Sequence, residues 1–259
     1  MKQGVYFDMP EAEYNAAPGL RSTFLRSMLQ TTPAKAKAQE EAGGKNSEAL
    51  AFGRILHLCM LEPKRAAEVL ITEPEFAGKG SRSMRAEWLV RNAGRIPVKP
   101  KVQLQLAAMC DAIQAHPEAR KLFEAPGRNE VSAFWADPLG FDAKSRIDRV
   151  HKLGQSLAIA ELKSTRNAEE GFFRYDCEQY GYYVEAAMQL RALDITSGAH
   201  VRPYHFVAVE KVEPYRVEVY ELRRTERAQG ERRMVRAMIE YARCLATGIW
   251  NDRPIEEAA

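Results

Sequence analysis

The stretch Phe141–Thr165, FDAKSRIDRVHKLGQSLAIAELKST, constrains the fold of this 259-residue chain more than any other part of it. Its first portion, about Phe141–Val150, alternates polar and apolar residues, and a later portion, Ser156–Leu162, is mostly apolar. Alternation followed by a short apolar run, with a glycine between them, is typical of paired β-strands. We therefore predict a β-hairpin with its turn near Lys152–Gly154.

Three charged residues occupy fixed positions on this predicted hairpin. Asp148 lies on the first strand, and Glu161 and Lys163 follow at the end of the second. Because side chains on a strand alternate, Glu161 and Lys163 share one face, and Leu162 points into the core. Two carboxylates can hold Mg²⁺, and a lysine can stabilise negative charge at a scissile phosphate. The pattern indicates either metal-assisted hydrolysis or, more simply, an ion pair at a strand end.

Composition narrows the class of protein. Hydrophobic residues make up 46% of the chain and charged residues 28%, as in ordinary soluble globular proteins. No apolar run approaches the roughly 20 residues of a membrane span, and the N-terminus lacks the apolar segment of a secretory signal. The four cysteines form no C-x-x-C pair, so neither a zinc site nor a disulfide framework is indicated. We expect a cytoplasmic protein whose net charge of +3 permits nucleic-acid binding without requiring it.

Helical and strand patterns surround the hairpin on both sides. Periodicity predicts helices at about Ser22–Leu29, Glu48–Leu61, Lys101–Phe123, Ala168–Leu193 and Thr225–Ala246. Further strands are predicted at Glu130–Trp135, Pro203–Glu210 and Arg216–Leu222. This order predicts an α/β domain with a mixed sheet and helices on its faces.

One histidine lies on the predicted helix Glu48–Leu61. His57 follows Gly53 by four residues, so the two share a face of the helix. A glycine there would let another backbone approach closely. A lone histidine on an apolar helix is usually a core or capping residue, and a ligand role is the alternative.

A basic segment lies farther along, at Phe76–Arg85. It contains two glycines and the basic residues Lys79, Arg82 and Arg85, a composition that predicts a flexible loop. Near a nuclease site such a loop could follow a phosphate backbone. An ordinary exposed loop is the alternative.

Four stretches together resemble the RecE-type exonuclease family, the nuclease domain of exodeoxyribonuclease VIII and its phage relatives, within the PD-(D/E)xK superfamily. They are Gly4–Ala34 (GVYFDMPEAEYNAAPGLRSTFLRSMLQTTPA), Ala51–Pro63 (AFGRILHLCMLEP), Asn129–Trp135 (NEVSAFW) and Arg146–Thr165 (RIDRV…AIAELKST). Their order and spacing match over nearly the whole chain. The resemblance implies a restriction-endonuclease-like core, with a central mixed sheet flanked by helices. It also implies one nuclease domain over residues 1–259, with a helical elaboration at 1–50, the core at 51–222 and a C-terminal helix and tail at 223–259.

The resemblance also implies a role for each matching residue. The implied metal ligands are His57, Asp148, Glu161 and the backbone carbonyl of Leu162. The implied catalytic residues are Lys163, Glu161, Asp148 and Glu130. In this assignment Glu130 would hold a second metal ion or position water. The implied cofactor is Mg²⁺, for which Mn²⁺ could substitute.

Two positions depart from the family pattern. Glu161 stands where relatives carry aspartate, a change that the superfamily motif allows. Relatives also carry a glutamine, followed four residues on by tyrosine, in the helix after the lysine. One register gives Glu185 and Gln189 here, and the other gives Gln179 and Tyr183. Both registers remain open, and with them the question of whether Gln179, Tyr183 or Glu185 contacts DNA.

The resemblance implies degradation of double-stranded DNA ends from 5′ to 3′, leaving a 3′ single strand for an annealing protein. It also implies a ring-shaped homo-oligomer, encoded by a phage or its bacterial host. One alternative is a non-catalytic DNA-binding or assembly protein on the same fold, but the complete motif set argues against a decayed site. Another alternative is an endonuclease of the same superfamily. The scattered cysteines disfavour its iron–sulfur branch.

Overall fold

A mixed six-stranded sheet organises the structure. The computed structural model describes residues 1–43, 47–153, 156–198 and 201–255. In spatial order the strands are β1 (Gly4–Tyr6), β4 (Gly127–Asp137), β5 (Phe141–Leu153), β6 (Ser156–Thr165), β7 (Val201–Glu210) and β8 (Val217–Glu221). Strands β6 and β7 are parallel, and the other neighbouring pairs are antiparallel. The predicted α/β class with a mixed central sheet is confirmed.

The remaining elements are helices and one short parallel strand pair. That pair is formed by β2 (Leu70–Thr72) and β3 (Ile96–Val98). The helices are α1 (Glu11–Ala16), α2 (Ser22–Gln30), α3 (Pro33–Glu41), α4 (Glu48–Leu61), α5 (Pro63–Val69), α6 (Ser81–Arg91), α7 (Pro100–Ala115), α8 (Pro117–Glu124), α9 (Glu170–Gln179), α10 (Tyr182–Ser197) and α11 (Arg224–Thr247). Within the described ranges, every helix is too short or too polar to span a membrane.

The predicted hairpin forms from β5 and β6. Its antiparallel register runs from Arg149 opposite Ala160 to Leu153 opposite Ser156. Gly154, the glycine of the predicted turn, lies outside the described residues, as do the last four residues of the predicted C-terminal tail. Leu162 is fully buried, so its predicted orientation toward the core is confirmed.

Helices cover both faces of the sheet. On one face, apolar residues of α9 and α10 pack against β5, β6 and β7, with Phe173 and Leu190 meeting Phe206 in one buried cluster. On the other face, α4, α7 and α8 enclose Leu162 and Val207. Alternation along each strand places successive apolar residues in these two layers. The hairpin is therefore an interior element of the sheet, covered by helices on both faces.

Helix α10 is the most deeply buried helix, and α11 packs directly onto it. A Cβ atom built on Gly230 of α11 would lie 2.1 Å from the backbone oxygen of Tyr183. Only glycine permits so close an approach of the two helices. The packing fixes the position of α10, which carries polar groups to β6, an interior strand of the sheet.

Two of the predicted helices are each divided in two, which corrects the sequence analysis. The predicted helix Lys101–Phe123 breaks at His116, because Pro117 cannot donate a backbone hydrogen bond and disfavours helical backbone before it. The predicted helix Ala168–Leu193 breaks at Gly181, which has a left-handed backbone with φ of 69°. This second break starts α10 beside the hairpin.

The basic segment Phe76–Arg85 is only partly a loop. Its last five residues form the start of α6, so the prediction of a flexible loop is wrong for them. Gly80 precedes the helix in a left-handed conformation, and Arg85 forms an ion pair with Glu73. No residue of α6 is buried.

Candidate active site

A cavity of about 590 Å³ opens where α4 and α10 meet the hairpin. Its walls come from elements that are far apart in sequence. The predicted site residues that line it are His57, Glu130, Asp148, Glu161, Lys163 and Glu185. The fold thus brings the motif of the hairpin together with a histidine from a helix nearly a hundred residues earlier.

His57 is held by acceptors on both of its ring nitrogens. Its Nδ1 lies 2.7 Å from the carbonyl oxygen of Gly53, one turn earlier in α4. Its Nε2 lies 3.0 Å from Oδ2 of Asp148 and 2.9 Å from the carbonyl oxygen of Leu162. The backbone N–H of Leu162 in turn donates to Asp148 Oδ2 over 2.8 Å. Three of the predicted metal ligands therefore converge: the ring of His57, the carboxylate of Asp148 and the carbonyl group of Leu162.

The charges of His57 and Asp148 support one another. Burial opposes protonation of the ring, but the Asp148 carboxylate outweighs this effect and raises the pKa of His57 to about 10. Burial likewise opposes ionisation of Asp148, yet His57 and Lys163 hold its pKa below the usual range. A protonated ring also explains why both of its nitrogens face acceptors.

Gly53 acts through its carbonyl group. The sequence suggested that a glycine here allows a close backbone approach. A Cβ atom at this position would meet nothing nearer than the Ser164 hydroxyl at 4.0 Å, an ordinary contact. The structural reason for a close approach is therefore absent, and the carbonyl oxygen orients His57 instead.

Lys163 lies between two carboxylates. Its Nζ donates to Oε1 of Glu161 over 2.7 Å and to Oε2 of Glu185 over 2.9 Å. The ring of Tyr182 lies 4.7 Å from the same ammonium group. Burial would lower the pKa of Lys163, but the two carboxylates overcome it and raise the pKa above its ordinary value. Lys163 is therefore a fixed positive charge and a hydrogen-bond donor.

Glu161 is buried and crowded. Burial and the nearby Asp148 raise its pKa to about 8, although Lys163 opposes the shift. Its second oxygen accepts a hydrogen bond of 3.1 Å from Gln189 of α10, whose own oxygen accepts one of 2.9 Å from the hydroxyl of Tyr204. Gln189 appeared in the sequence only as the second position of one register, and Tyr204 carried no signal, because only the fold brings α10 and β7 beside Glu161.

Glu130 completes the acidic wall of the cavity. Its backbone has a positive φ of 51°, a conformation that is rare for a residue with a side chain and often marks a functional position. Arg146 pairs with its carboxylate. Burial and Asp148 nevertheless raise the pKa of Glu130 to about 7. Arg146 is the first residue of the stretch Arg146–Thr165 that resembles the RecE-type family. The sequence therefore already indicated that this arginine belongs to the motif.

The structure distinguishes the two registers of the helix after the lysine. Glu185 lines the cavity and Gln189 contacts Glu161. Gln179 lies outside the cavity wall at the end of α9. Tyr183 is 5% exposed, and its hydroxyl donates to Glu226 over 3.1 Å. Of the residues in the two registers, Glu185 therefore lines the cavity, Gln189 lies behind it on Glu161, and Tyr183 is buried against Glu226; their contacts with DNA stay a prediction.

The predicted DNA-binding residues of the basic segment stand apart from the cavity. Lys79, Arg82 and Arg85 do not line it. Arg85 is engaged by Glu73. A different cation, Arg26 of α2, reaches the network and donates to Glu185 over 3.0 Å.

The residues present suit a divalent cation. In the described part of the chain, no three His, Cys, Asp or Glu side chains are already grouped to hold an ion. The reason is visible: His57 bonds to Asp148, and Glu161 is turned toward Lys163. Once the ring loses its proton, His57 Nε2, Asp148 Oδ2 and the carbonyl oxygen of Leu162 would be free to hold an ion together.

Electrostatics lead to the same conclusion about a cation. Burial and repulsion by Asp148 raise the pKa values of both Glu130 and Glu161. A positive ion among these carboxylates would relieve that repulsion. The oxygen-rich set with one imidazole nitrogen accords with a hard divalent metal.

Comparisons with solved structures support the fold. A candidate exonuclease from Eubacterium rectale superposes with a TM-score of 0.60 at 13% identity, over 94% of this chain and 88% of that one. Two weaker matches at 13% identity are SSO0001, with a TM-score of 0.32 over 86% of this chain and 87% of that one, and VC1899 from Vibrio cholerae, with 0.24 over 94% and 58%. No curated protein matches the sequence. At these identities, the first match shows the fold alone.

A family model matches most of the chain. The match covers residues 22–257, and its description is "PDDEXK-like domain of unknown function (DUF3799)". It confirms the predicted PD-(D/E)xK superfamily, whereas the narrower RecE-type assignment stays a prediction. The chain belongs to this PDDEXK-like family, DUF3799.

Proposed function

We propose that the chain is a metal-dependent deoxyribonuclease. The observation that carries this proposal is the convergence of His57, Asp148, Glu161 and Lys163 in one cavity of a PDDEXK-like fold. A strand-end ion pair, the simpler alternative, would be exposed, whereas the side chains of Lys163 and Glu161 are only 12% and 3% exposed and both are hydrogen-bonded to α10.

The proposed metal ligands are His57, Asp148, Glu161 and the backbone carbonyl of Leu162. The proposed ion is Mg²⁺, with Mn²⁺ as a substitute and Glu130 as a contact for a second ion. Such an ion supplies charge neutralisation at a scissile phosphate and a more acidic bound water. The Gly53 carbonyl retains the proton on His57 Nδ1, so deprotonation frees Nε2 as a ligand.

Lys163 would act as an electrostatic group. Glu161 and Glu185 hold its ammonium beside the carboxylates, where it can donate to a phosphate oxygen or orient the attacking water. Its raised pKa is unsuited to a base that removes a proton from water near neutral pH. Glu185 would help to position Lys163.

The proposed substrate is the end of double-stranded DNA, degraded from 5′ to 3′. The remaining 3′ strand would pass to a single-strand annealing protein, and the enzyme would act as a ring-shaped homo-oligomer in the bacterial cytoplasm. The RecE-type resemblance of the four sequence stretches supports these details. The name of the candidate exonuclease with a similar fold supports exonuclease activity.

One experiment separates the proposed activity from its alternatives. Linear duplex DNA labelled at either the 5′ or the 3′ end, and closed circular duplex of the same sequence, are incubated with the protein and Mg²⁺, Mn²⁺ or chelator. An exonuclease degrades only the linear form, and the two labels report its polarity. Cleavage of circles would indicate an endonuclease. Binding without cleavage under every metal condition would indicate the non-catalytic alternative.

The DNA path outside the cavity can be tested at the basic segment. Lys79 and Arg82 form no hydrogen bond or ion pair with any described residue, so they remain available for phosphates. If both contact duplex DNA, their replacement by alanine lowers the slope of log affinity against log salt by about 0.9 per contact. The matched control replaces Arg120 and Lys121, two exposed residues of α8. An unchanged salt slope would indicate that the basic segment is an ordinary exposed surface and does not contact DNA.

A further inference from the structure

Helix α9 presents aromatic side chains to solvent. Phe172 is 58% exposed and Tyr175, one turn later on the same face, is 61% exposed. Tyr180, just beyond the end of the helix, is 43% exposed. The opposite face packs normally, because Phe173 and Cys177 are buried in the core. The fold therefore does not require Phe172 and Tyr175 to be aromatic.

We call Phe172, Tyr175 and Tyr180 the aromatic row. Its last member, Tyr180, is connected to the catalytic cavity through the ring of Tyr182. The ring of Tyr180 lies 5.8 Å from that of Tyr182, at an interplanar angle of 37°. Tyr182 in turn lies 4.7 Å from the ammonium group of Lys163. Tyr182 and Tyr180 thus extend aromatic surface from beside Lys163 to the end of α9. Phe172 and Tyr175 lie exposed farther along the same helix.

Three charged residues of α9 lie on a different face from the aromatic row. Glu170 and Glu178 are separated from Arg174 by one turn each, so the three form a row of their own. Arg174 donates to Glu170 over 2.9 Å, and Glu178 accepts from Gln229 over 2.7 Å. These contacts engage the negative charges of that face. Asp176 follows Phe172 by one turn and so lies beside the aromatic row, where its charge acts on Lys211.

Two cations lie near the start of α9. Arg166 follows β6 directly, and Lys211 is tied to the same strand end through its backbone N–H, which donates to Thr165. Burial and the proximity of Arg166 lower the pKa of Lys211, and Asp176 partly opposes this effect. Neither cationic side chain has a hydrogen bond or ion pair with a described residue. Two cations beside one carboxylate, Asp176, leave an excess positive charge that suits a polyanion.

We propose that the aromatic row binds single-stranded DNA by stacking with its unpaired bases, while Arg166 and Lys211 contact the backbone. Every base has a π face, so stacking on such rings tolerates any sequence. Bases in a duplex are already stacked, so a duplex cannot use the row in this way. The inference deepens the proposed nuclease by assigning the form of the strand that lies beside its cavity.

The main test measures binding in the absence of hydrolysis. Fluorescence anisotropy follows a labelled 20-nucleotide single strand and a blunt duplex of the same sequence, each with the full chain in EDTA. Phe172→Ala combined with Tyr175→Ala weakens single-strand affinity by at least about fivefold for each ring removed, with duplex affinity unchanged. Phe172→Tyr combined with Tyr175→Phe retains a π face at both positions and so retains affinity.

A matched control removes an equally exposed apolar side chain elsewhere. Leu104 of α7 is 73% exposed, and Leu104→Ala leaves affinity for both DNAs unchanged. Because Phe172 and Tyr175 face solvent, their alanine variants should also melt as the wild type does. Replacing Arg166 and Lys211 by alanine lowers the salt slope of single-strand binding by about 0.7 per phosphate contact.

Several outcomes would overturn the inference. Single-strand affinity that survives the double alanine change would do so, as would an equal loss for the duplex. Sedimentation could instead show that the wild type is an oligomer and the double alanine variant is not, while single-strand affinity stays the same. That result would identify the aromatic row as a contact between copies of the chain.

The proposed nuclease is judged separately, from hydrolysis of duplex ends with Mg²⁺. If the wild type hydrolyses DNA but the aromatic row does not affect single-strand binding, only the present inference fails. If the row binds single strands but no metal supports hydrolysis, only the nuclease proposal fails.

Discussion

Two buried carboxylates on the same sheet have opposite electrostatic environments. Asp137, at the end of β4, accepts two hydrogen bonds from Arg191, of 2.8 and 3.1 Å. It also accepts from the indole N–H of Trp135 and the backbone N–H of Leu139, each over 3.1 Å. Burial would raise the pKa of Asp137, but these donors, led by Arg191, hold it below its ordinary value.

Glu161, at the cavity, is also hydrogen-bonded and yet destabilised as an anion. Lys163 and Gln189 donate to it. Burial and the charge of Asp148 outweigh these bonds and raise its pKa to about 8. Both residues are buried, so burial alone does not explain the difference. The difference lies in the neighbours: donors surround Asp137, whereas Glu161 shares its site with other carboxylates.

The comparison separates a structural ion pair from a candidate site. A carboxylate whose donors are complete stabilises the fold and needs nothing further. Carboxylates that repel one another in a cavity reduce stability unless another cation joins them, so their presence points to a ligand. The following predictions test whether this distinction holds.

The largest expected effect is on hydrolysis. Lys163→Ala removes a donor near the scissile phosphate but no metal ligand, so the rate should fall by about 10²–10³ while Mg²⁺ and duplex binding persist. The measurement is single-turnover cleavage of linear duplex with saturating Mg²⁺. Asp137→Asn is the matched control and should cleave at the wild-type rate per folded molecule. Full activity of a folded Lys163→Ala protein would contradict the proposed mechanism.

Glu161→Ala should also abolish cleavage, but for a different reason. It removes a proposed metal ligand, so the loss should be accompanied by weaker Mg²⁺ binding in a calorimetric titration. Excess Mg²⁺ or Mn²⁺ should restore part of the activity, whereas it should not restore the Lys163→Ala variant. If metal rescued both variants equally, the distinction between ligand and electrostatic group would be wrong.

The second expected effect is on stability. Asp137→Ala leaves the indole N–H of Trp135 and the guanidinium of Arg191 without their acceptor. It should therefore lower the free energy of unfolding by about 2–3 kcal/mol, measured with urea. Glu161→Gln in EDTA should lower it far less, or raise it, because the change removes a repelling charge. If both variants lost the same free energy of unfolding, the proposed difference between Asp137 and Glu161 would be wrong.

The hairpin and its motif were accessible from sequence because they depend on local patterns. Alternation and an apolar run predicted β5 and β6, and a two-residue spacing placed Glu161 and Lys163 on one face. The resemblance then added His57, whose neighbours Asp148 and Leu162 follow it by some hundred residues. No local pattern predicts that contact.

What the sequence did not predict depends on packing between distant elements. Gln189 contacts Glu161 only because α10 packs across the sheet, and Arg26 reaches Glu185 from the N-terminal helices. The break at Gly181 was missed because the flanking residues continue a helical pattern. That break sets the start of α10 and hence the place of Glu185 in the cavity.

The smallest expected effect is a difference in the pH dependence of stability, measured without metal. Asp137 has a lowered pKa, so the folded state releases its proton more readily than the unfolded state. Its contribution is therefore present above its unfolded value of about 3.9 and is lost as pH falls through the folded value. Between pH 5 and 8 that contribution should be constant.

Glu161 should behave in the opposite way. Its pKa is raised from 4.5 to about 8, so the folded protein retains a proton that the unfolded chain releases in this range. Stability should therefore decrease as pH rises from about 5 to 8, and Glu130, with a pKa raised to about 7, acts in the same direction. Because Glu161 shares protons with its neighbours, its own contribution to the slope should remain below the roughly 1.4 kcal/mol per pH unit of one full proton. Urea unfolding in EDTA at four pH values, for the wild type, Glu161→Gln and Asp137→Asn, gives the two contributions by subtraction. The wild type minus Glu161→Gln difference should fall with pH while the Asp137→Asn difference stays level; parallel lines would show that the two carboxylates do not differ as the structure indicates.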